Sequence, residues 1–341
     1  MSSRFPLYLL VLCAWIIPVS AQNMTHSWST TFGGPSTDFG LAVEIDANDN
    51  VILAGAFSWD IDLGGGPLSS QGGEDMFIAK FSPEGAHLWS FALGGGDDVE
   101  ATAIALDHSG NIVVTGFFYD TINLGGSPIS SIGSHDVFVA KYDAMGNHLW
   151  SQGFGSTSYD FLSDMQIDSA DNIIFTGSFN NTINFGGNLL VSQGYSDAFL
   201  VKLSSSGLHL SSVAFGNTAT VSGKNLDVDS SDNIYLSGGF QDSLNLGGSS
   251  LSAVGLRDTY LAKFDNILAH QWSQSFGSLY YVSSWGLAVD HSGNVCLAGT
   301  YTAPVSFGGP TFNCAGGDDI FVAKFDETGN HLWSAGYGDV L

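Results

Sequence analysis

The sequence predicts an all-β fold assembled from one four-stranded antiparallel module used five times, and three observations carry that prediction. An aromatic landmark recurs every 61 residues, at Trp28, Trp89, Trp150, Trp272 and Trp333, with Ser211 at the remaining register position and no insertion or deletion breaking the count. The segments between landmarks are short β-branched and aromatic runs with no 3.6-residue apolar period of helical length. The connections carry the Gly, Asp and Asn chemistry of tight hairpin turns. The repeats run 28–88, 89–149, 150–210, 211–271 and 272–332, followed by a partial repeat 333–341.

The second repeat shows the elements in order. A first strand over 102–107 leads through Asp107-His-Ser-Gly110-Asn111 into a richer second strand over 111–118. A connection of about 17 residues carries Leu124-Gly125-Gly126 and reaches a third strand over 136–142. Asp143-Ala-Met-Gly146-Asn147 then turns into a fourth strand over 148–154. Both turns fit a type I turn closed by a left-handed residue, a place filled elsewhere by Asp49, Asp171 or Asp232. The turn Asp265-Asn266-Ile267-Leu268 has no Gly and is expected to fold differently. The Gly pair in the long connection recurs as Gly64-Gly65, Gly186-Gly187, Gly247-Gly248 and Gly308-Gly309, which implies close backbone approach or positive φ.

A four-stranded sheet cannot bury both of its faces alone. Packing neighbouring sheets face to face around an axis solves this, so the expected architecture is a β-propeller with each sheet a blade. Trp89 and Phe91 share one face of the fourth strand and suit the gap between blades, while Ser211 leaves one junction less well filled. The run 103–116, then Asp136-Val-Phe-Val-Ala-Lys141 and Leu149-Trp-Ser151, resembles the SBBP-type bacterial β-propeller repeat. That resemblance spans all five repeats and implies an exported scaffold or binding module without specifying a ligand. The fourth strand occurs six times if 26–33 and 331–338 both count. A five-bladed ring needs only five, so either one copy is a duplicate or the chain is a fragment of a larger propeller.

Composition narrows the function classes. The chain has 341 residues, 44 of them Gly, and 33 acidic against 8 basic residues, a net charge of −25. No basic stripe is available to neutralise phosphates, which excludes nucleic acid, and the charge opposes docking on anionic membranes. Residues 1–21 read as a signal peptide: Arg4, an apolar run from Leu7 to Ile17 too short to span a bilayer, Pro18, and the small-residue site Val19-Ser20-Ala21. Residues 22–341 form the propeller domain. Cys13 lacks the small residue that precedes a lipidated cysteine, so the product is expected to be secreted or at the cell surface, without a membrane span, and monomeric. Export permits a disulfide between Cys296 and Cys314, and two separate thiols are the alternative.

Four polar positions are identical in all five repeats. They are Asp46, Asp107, Asp168, Asp229 and Asp290; Asn50, Asn111, Asn172, Asn233 and Asn294; Asp75, Asp136, Asp197, Asp258 and Asp319; and Lys80, Lys141, Lys202, Lys263 and Lys324. A lysine in a packed sheet needs a partner, and chain direction puts the Asp46 series at the same end of the blade, so the two series are expected to pair. The Asp46–Asn50 segment supplies oxygens that suit calcium, but it lacks the acid pattern of a calcium loop, and the reading as a structural turn is favoured because Asp and Asn satisfy turn backbone groups unaided. The histidines His26, His87, His148, His209, His270 and His331 lie one per repeat, too far apart to share an ion, and are expected to cover the neighbouring blade. No nucleophile elbow, zinc-protease pair or phosphate loop occurs. The one candidate catalytic pair is Glu44 with Asp227, the only acids at a variable position of the first strand.

No catalytic, cofactor or metal residue is therefore assigned. The expected function is an exported, non-enzymatic scaffold or binding module for a protein or glycan, acting through loops on one face that carry Tyr119, Tyr159, Tyr195, Tyr280 and Tyr281. A multivalent lectin with one site per blade is one alternative, disfavoured by the unlike loop tips Tyr119-Asp120, Asn180-Asn181, Gln241-Asp242 and Thr302-Ala303. A propeller glycan hydrolase or lyase with an acidic axial site is the other.

Overall fold

The structure, a computed structural model, describes residues 26–338. The expected signal peptide lies outside the described residues. Within them the fold is all-β, and five four-stranded antiparallel units follow one another along the chain, the first extended to six strands because its outer strand also pairs with the hairpin Thr121–Asn123 and Ile129–Ser130 of the second repeat. Their inner strands are Asp38–Ile45, Val99–Leu106, Phe161–Ile167, Val221–Val228 and Val282–Val289. Next come Val51–Asp62, Ile112–Phe118, Ile173–Phe179, Ile234–Phe240 and Val295–Tyr301, then third strands Pro67–Phe81, Asp136–Tyr142, Asp197–Leu203, Asp258–Phe264 and Asp319–Phe325. The outer strands are His87–Gly95, His148–Phe154, His209–Phe215, His270–Phe276 and His331–Tyr337.

Consecutive inner strands pack side by side, which makes the arrangement propeller-like. The cores lie between sheets: Ile52, Met76 and Ile78 of the first sheet close on Val114, Phe138 and Tyr142 of the second, and the next three junctions repeat the pattern. The inner strands of the first and fifth sheets do not pack on each other in this way. The described sheets therefore form an arc with two outer sides that no other sheet covers.

The long connection folds back as a two-stranded hairpin, for example Thr121–Asn123 with Ile129–Ser130, and its Gly pair has a specific cause. Gly125 sits at φ +96°, and a Cβ there would lie 3.0 Å from the His148 Cβ. A Cβ on Gly126 would lie 2.6 Å from His148 Cε1. The same seat recurs in every repeat, with His87, His209, His270 and His331 in the role of His148. Each ring is fixed by a serine three residues on, as in His148 Nε2 to Ser151 Oγ at 3.0 Å. The histidine therefore covers the hairpin of its own sheet. The sequence reading that placed it on the neighbouring sheet is corrected, because the Gly pair opens a slot for the ring within the same repeat.

The Gly-free turn is corrected too. Leu268 takes φ +66° and makes the same closing bonds as the Gly turns, with Leu268 N donating to Asp265 O at 3.0 Å and Asp265 N to Ala269 O at 2.9 Å. Its side chain explains why. At the other junctions the glycine at this place lies beneath a tryptophan of the preceding outer strand, and a Cβ on Gly85 would come within 2.7 Å of the Trp28 ring. Over Leu268 the register position is Ser211. Leu268 packs into the core between the third and fourth sheets, where that ring is missing. The junction expected to be underfilled is repacked by a residue that accepts a strained backbone.

Cys296 and Cys314 are free thiols in the structure. No helix of the described residues is long and apolar enough to cross a membrane.

Candidate functional site

The invariant polar series turn out to be construction. Lys80, Lys141, Lys202, Lys263 and Lys324 reach the carboxylates of Asp46, Asp107, Asp168, Asp229 and Asp290 at 2.8, 2.8, 2.8, 3.4 and 2.7 Å. The expected pairing is thus present, and it lies within each sheet. The same ammonium also donates to the next sheet: Lys80 to Ala144 O, Lys141 to Ser205 O, Lys202 to Asn266 O and Lys263 to Glu327 O. Each of these four lysines therefore ties two sheets together. The indole N–H of Trp28, Trp150 and Trp272 donates to a carbonyl of the same turn, Pro83, Ser205 and Glu327.

Asp107 shows why a cation does not fit the turn. Its Oδ1 accepts from Ser109 N and Asn111 N, and its Oδ2 from Asn111 Nδ2 and the Lys141 ammonium. A calcium ion would have to displace these donors and share the carboxylate with a lysine. Burial pushes the Asp107 carboxyl up, but Lys141 and Asn111 together hold it below the usual range. The Asp75 series serves the long connection. Asp136, for example, accepts from Ile132 N at 2.8 Å, and the other four make the equivalent bond.

The two acids of the candidate pair lie on different inner strands, Glu44 on the first and Asp227 on the fourth. Asp227 accepts from Val228 N in its own strand and from Val289 N of the next inner strand at 2.7 Å. Asp164, which sequence reasoning passed over, bridges the third and fourth inner strands in the same way through Leu226 N at 2.7 Å. It follows a β-bulge that recurs in every inner strand. Burial, with Asp227 adding to it, pushes Asp164 up to about 6. The charge on Glu44, on the first inner strand, is disfavoured by burial and partly eased by the Ile45 N–H.

Asp164 gives a pH prediction. Its folded pKa lies above the ordinary carboxylate value of ~3.9, so ionisation penalises the folded state above about 6, and the penalty disappears as pH falls toward that ordinary value. Thermal midpoints of the parent and of Asp164→Asn, measured from pH 7 to pH 4, should converge as the parent protonates. Parallel curves would contradict the assignment.

Where the repeats differ is more informative. Five register-equivalent positions flank each junction at the end that carries the long connections. Between the first and second sheets they are Ala56, Ser58, Glu74, Asp98 and Glu100. Between the second and third they are Phe117, Tyr119, His135, Tyr159 and Phe161, all aromatic. Between the third and fourth they are Ser178, Asn180, Ser196, Thr220 and Ser222, and the last set includes Arg257 and Tyr281.

The aromatic set forms a real cluster. His135 stacks on Tyr159 and Phe161 with centroids at 5.4 and 5.5 Å, Tyr159 lies within 8° of parallel to Phe161, and Phe117 meets Phe161 edge-on at 5.4 Å. Tyr119, Tyr159 and Phe161 are exposed. Glu100 stands opposite Phe117 in the strand register, so this acid adjoins the ring cluster. Burial and the mutual repulsion of Glu74, Asp98 and Glu100 raise both glutamates. At the far end the Lys224 ammonium sits 4.2 Å from the Trp285 ring and Arg257 donates to Ser222 Oγ. Sequence reading singled out Tyr119 and Tyr159. It missed Phe117, His135 and Phe161, although comparing the five repeats column by column would have found them.

No family model matches the chain. An uncharacterized WD repeat-containing protein of Acanthamoeba polyphaga mimivirus is 26% identical over 321 residues, covering 74% of this chain and 23% of that protein. The regulatory protein FlaEY of Caulobacter vibrioides is 25% identical over 157 residues, covering 43% of this chain and 16% of its own. A crystal structure of a protein of unknown function from Bacteroides caccae aligns with TM-score 0.45 and 8% identity over 88% of this chain and 82% of that one. The chain is a propeller-type repeat protein. It spans a quarter or less of the length of these two curated relatives, and its SBBP-type character remains a resemblance.

Proposed function

We propose that this chain is an exported, non-enzymatic binding module that captures a protein partner on the face carrying the long connections. One observation carries the reading: five exposed or half-buried rings from two sheets meet next to the acidic set Glu74, Asp98 and Glu100, at positions where the other described junctions hold mostly small, polar or charged residues and at most one ring, Tyr281. Such a surface suits a basic, extended segment whose lysines or arginines lie over the rings and against Glu74, Asp98 and Glu100. The net charge of −25 draws such a partner in and repels acidic ones. The same inequality between junctions counts against a lectin with equivalent sites, since no other junction repeats the platform.

The test is titration of a fluorescent arginine-rich peptide, with a panel of oligosaccharides as comparison. Tyr159→Ala with Phe161→Ala should weaken peptide binding at least tenfold, and Glu74→Gln with Glu100→Gln should weaken it and flatten its salt dependence. Equal binding by both variants, or selective binding of a sugar, overturns the reading.

A further inference from the structure

The two outer sides of the arc match one another. On the fifth sheet, Ile320 is 53% exposed and Tyr337 61%. Their register equivalents in the four preceding sheets, Met76, Val137, Ala198 and Thr259 for the first and Leu93, Phe154, Phe215 and Phe276 for the second, are all buried under the next sheet. Trp333 is exposed beside them, and among the described residues Lys324 keeps its aspartate but has no turn carbonyl beyond it. On the first sheet, Val43 is 60% and Ile45 62% exposed, whereas the equivalents of Val43 in the next three sheets, Ile104, Met165 and Leu226, are buried.

Four internal junctions show what covers a side like that of the fifth sheet: the opposite side of another sheet of the same kind. The outer-strand ring of one sheet stacks on a third-strand ring of the next, as Phe215 does on Phe264 at 5.3 Å and Phe276 on Phe325 at 5.1 Å. Tyr337 holds this register with no ring beneath it among the described residues. The matching ring on the first sheet is Phe81, and it is covered by Phe32 at 5.1 Å. Phe32 belongs to segment 26–33, which repeats the outer-strand pattern, with His26, Trp28, Ser29, Phe32 and Gly33 in the places of His331, Trp333, Ser334, Tyr337 and Gly338. Trp28 also makes the junction bond, to Pro83 O at 2.8 Å.

We propose that the bare side of the fifth sheet docks the first sheet of a second copy of this chain, in head-to-tail register. In that contact the outer strand His331–Tyr337 takes the place of the second copy's own segment 26–33. Tyr337 then stacks where Phe32 lies now, Trp333 takes the Pro83 carbonyl from Trp28, and Ile320 and Val43 are buried as they are at the internal junctions. Segment 26–33 acts as a removable cap, so association is limited by its release. The contact is heterologous and leaves a free side at each end, so dimers lead on to longer assemblies.

Sedimentation equilibrium of the full chain across a wide concentration range tests this. Trp28→Ser weakens the cap with a residue that the repeat already accepts at position 211, and should tighten self-association at least tenfold. Adding Ile320→Lys and Tyr337→Ser should return the Trp28→Ser protein to monomer. Tyr337→Ser alone, which removes one ring from an exposed edge, should weaken association with an unchanged thermal midpoint. A Trp28→Ser protein that stays monomeric at the highest concentration, or association indifferent to Ile320 and Tyr337, overturns the proposal.

Discussion

Replacing Lys141 with methionine is expected to destabilise the protein by about 3–5 kcal/mol, the usual cost of leaving one member of a buried ion pair alone. Both side chains are almost completely buried, and the ammonium has two tasks: it neutralises Asp107 and donates to Ser205 O in the next sheet. Methionine has similar length, so the loss is electrostatic more than steric. Changing Asp107 to Asn in the same protein keeps an acceptor for the turn and removes the stranded charge, so the double variant should regain part of the stability. Chemical denaturation of the four proteins measures the coupling, and additive losses would show that the pair does not act as one. The sign with pH also follows. Asp107 is held below its ordinary range, so its stabilising share is present above the unfolded pKa and is lost as pH falls through the folded one. The acid limb of the Lys141→Met protein should be flatter than that of the parent.

The second large effect concerns Ser211 and Leu268. Introducing Trp at 211 puts an indole where the Leu268 side chain stands, and overpacking of this kind typically costs 1–3 kcal/mol. Leu268→Gly relieves the φ of +66° but removes apolar contacts from the core between the third and fourth sheets. Together the two changes restore the Trp-over-Gly arrangement of the other junctions. The double variant should therefore be more stable than the sum of the singles predicts, with a coupling of about 1–3 kcal/mol read from denaturation midpoints. Independent effects would show that the two departures from the repeat are unrelated.

Much of the fold was legible in the sequence because a strict period turns one chain into five readings of the same module. Strand positions in the second repeat, the Gly pair and the lysine–aspartate pairing follow from the residue types that recur. What escaped was whatever depends on which neighbour a side chain meets. His148 has an amphipathic ring that suits either sheet, and only the slot above Gly125 and Gly126 decides between them. Leu268 looked like a broken turn because its compensation lies at Ser211, 57 residues away. The aromatic cluster was half visible because Tyr119 and Tyr159 lie in loops, whereas Phe117 and Phe161 sit in strands and read as core.

The double duty of the lysines has a consequence for how the molecule comes apart. Lys80, Lys141, Lys202 and Lys263 each link their own sheet to the next, so opening one sheet loosens its neighbour, and melting should travel along the chain like a zip. Lys324 is fastened on one side only, so the zip starts at the fifth sheet. Amide hydrogen exchange should therefore be fastest in Asp319–Phe325 and slowest in Asp136–Tyr142 and Asp197–Leu203, although the sequences of these strands are nearly alike.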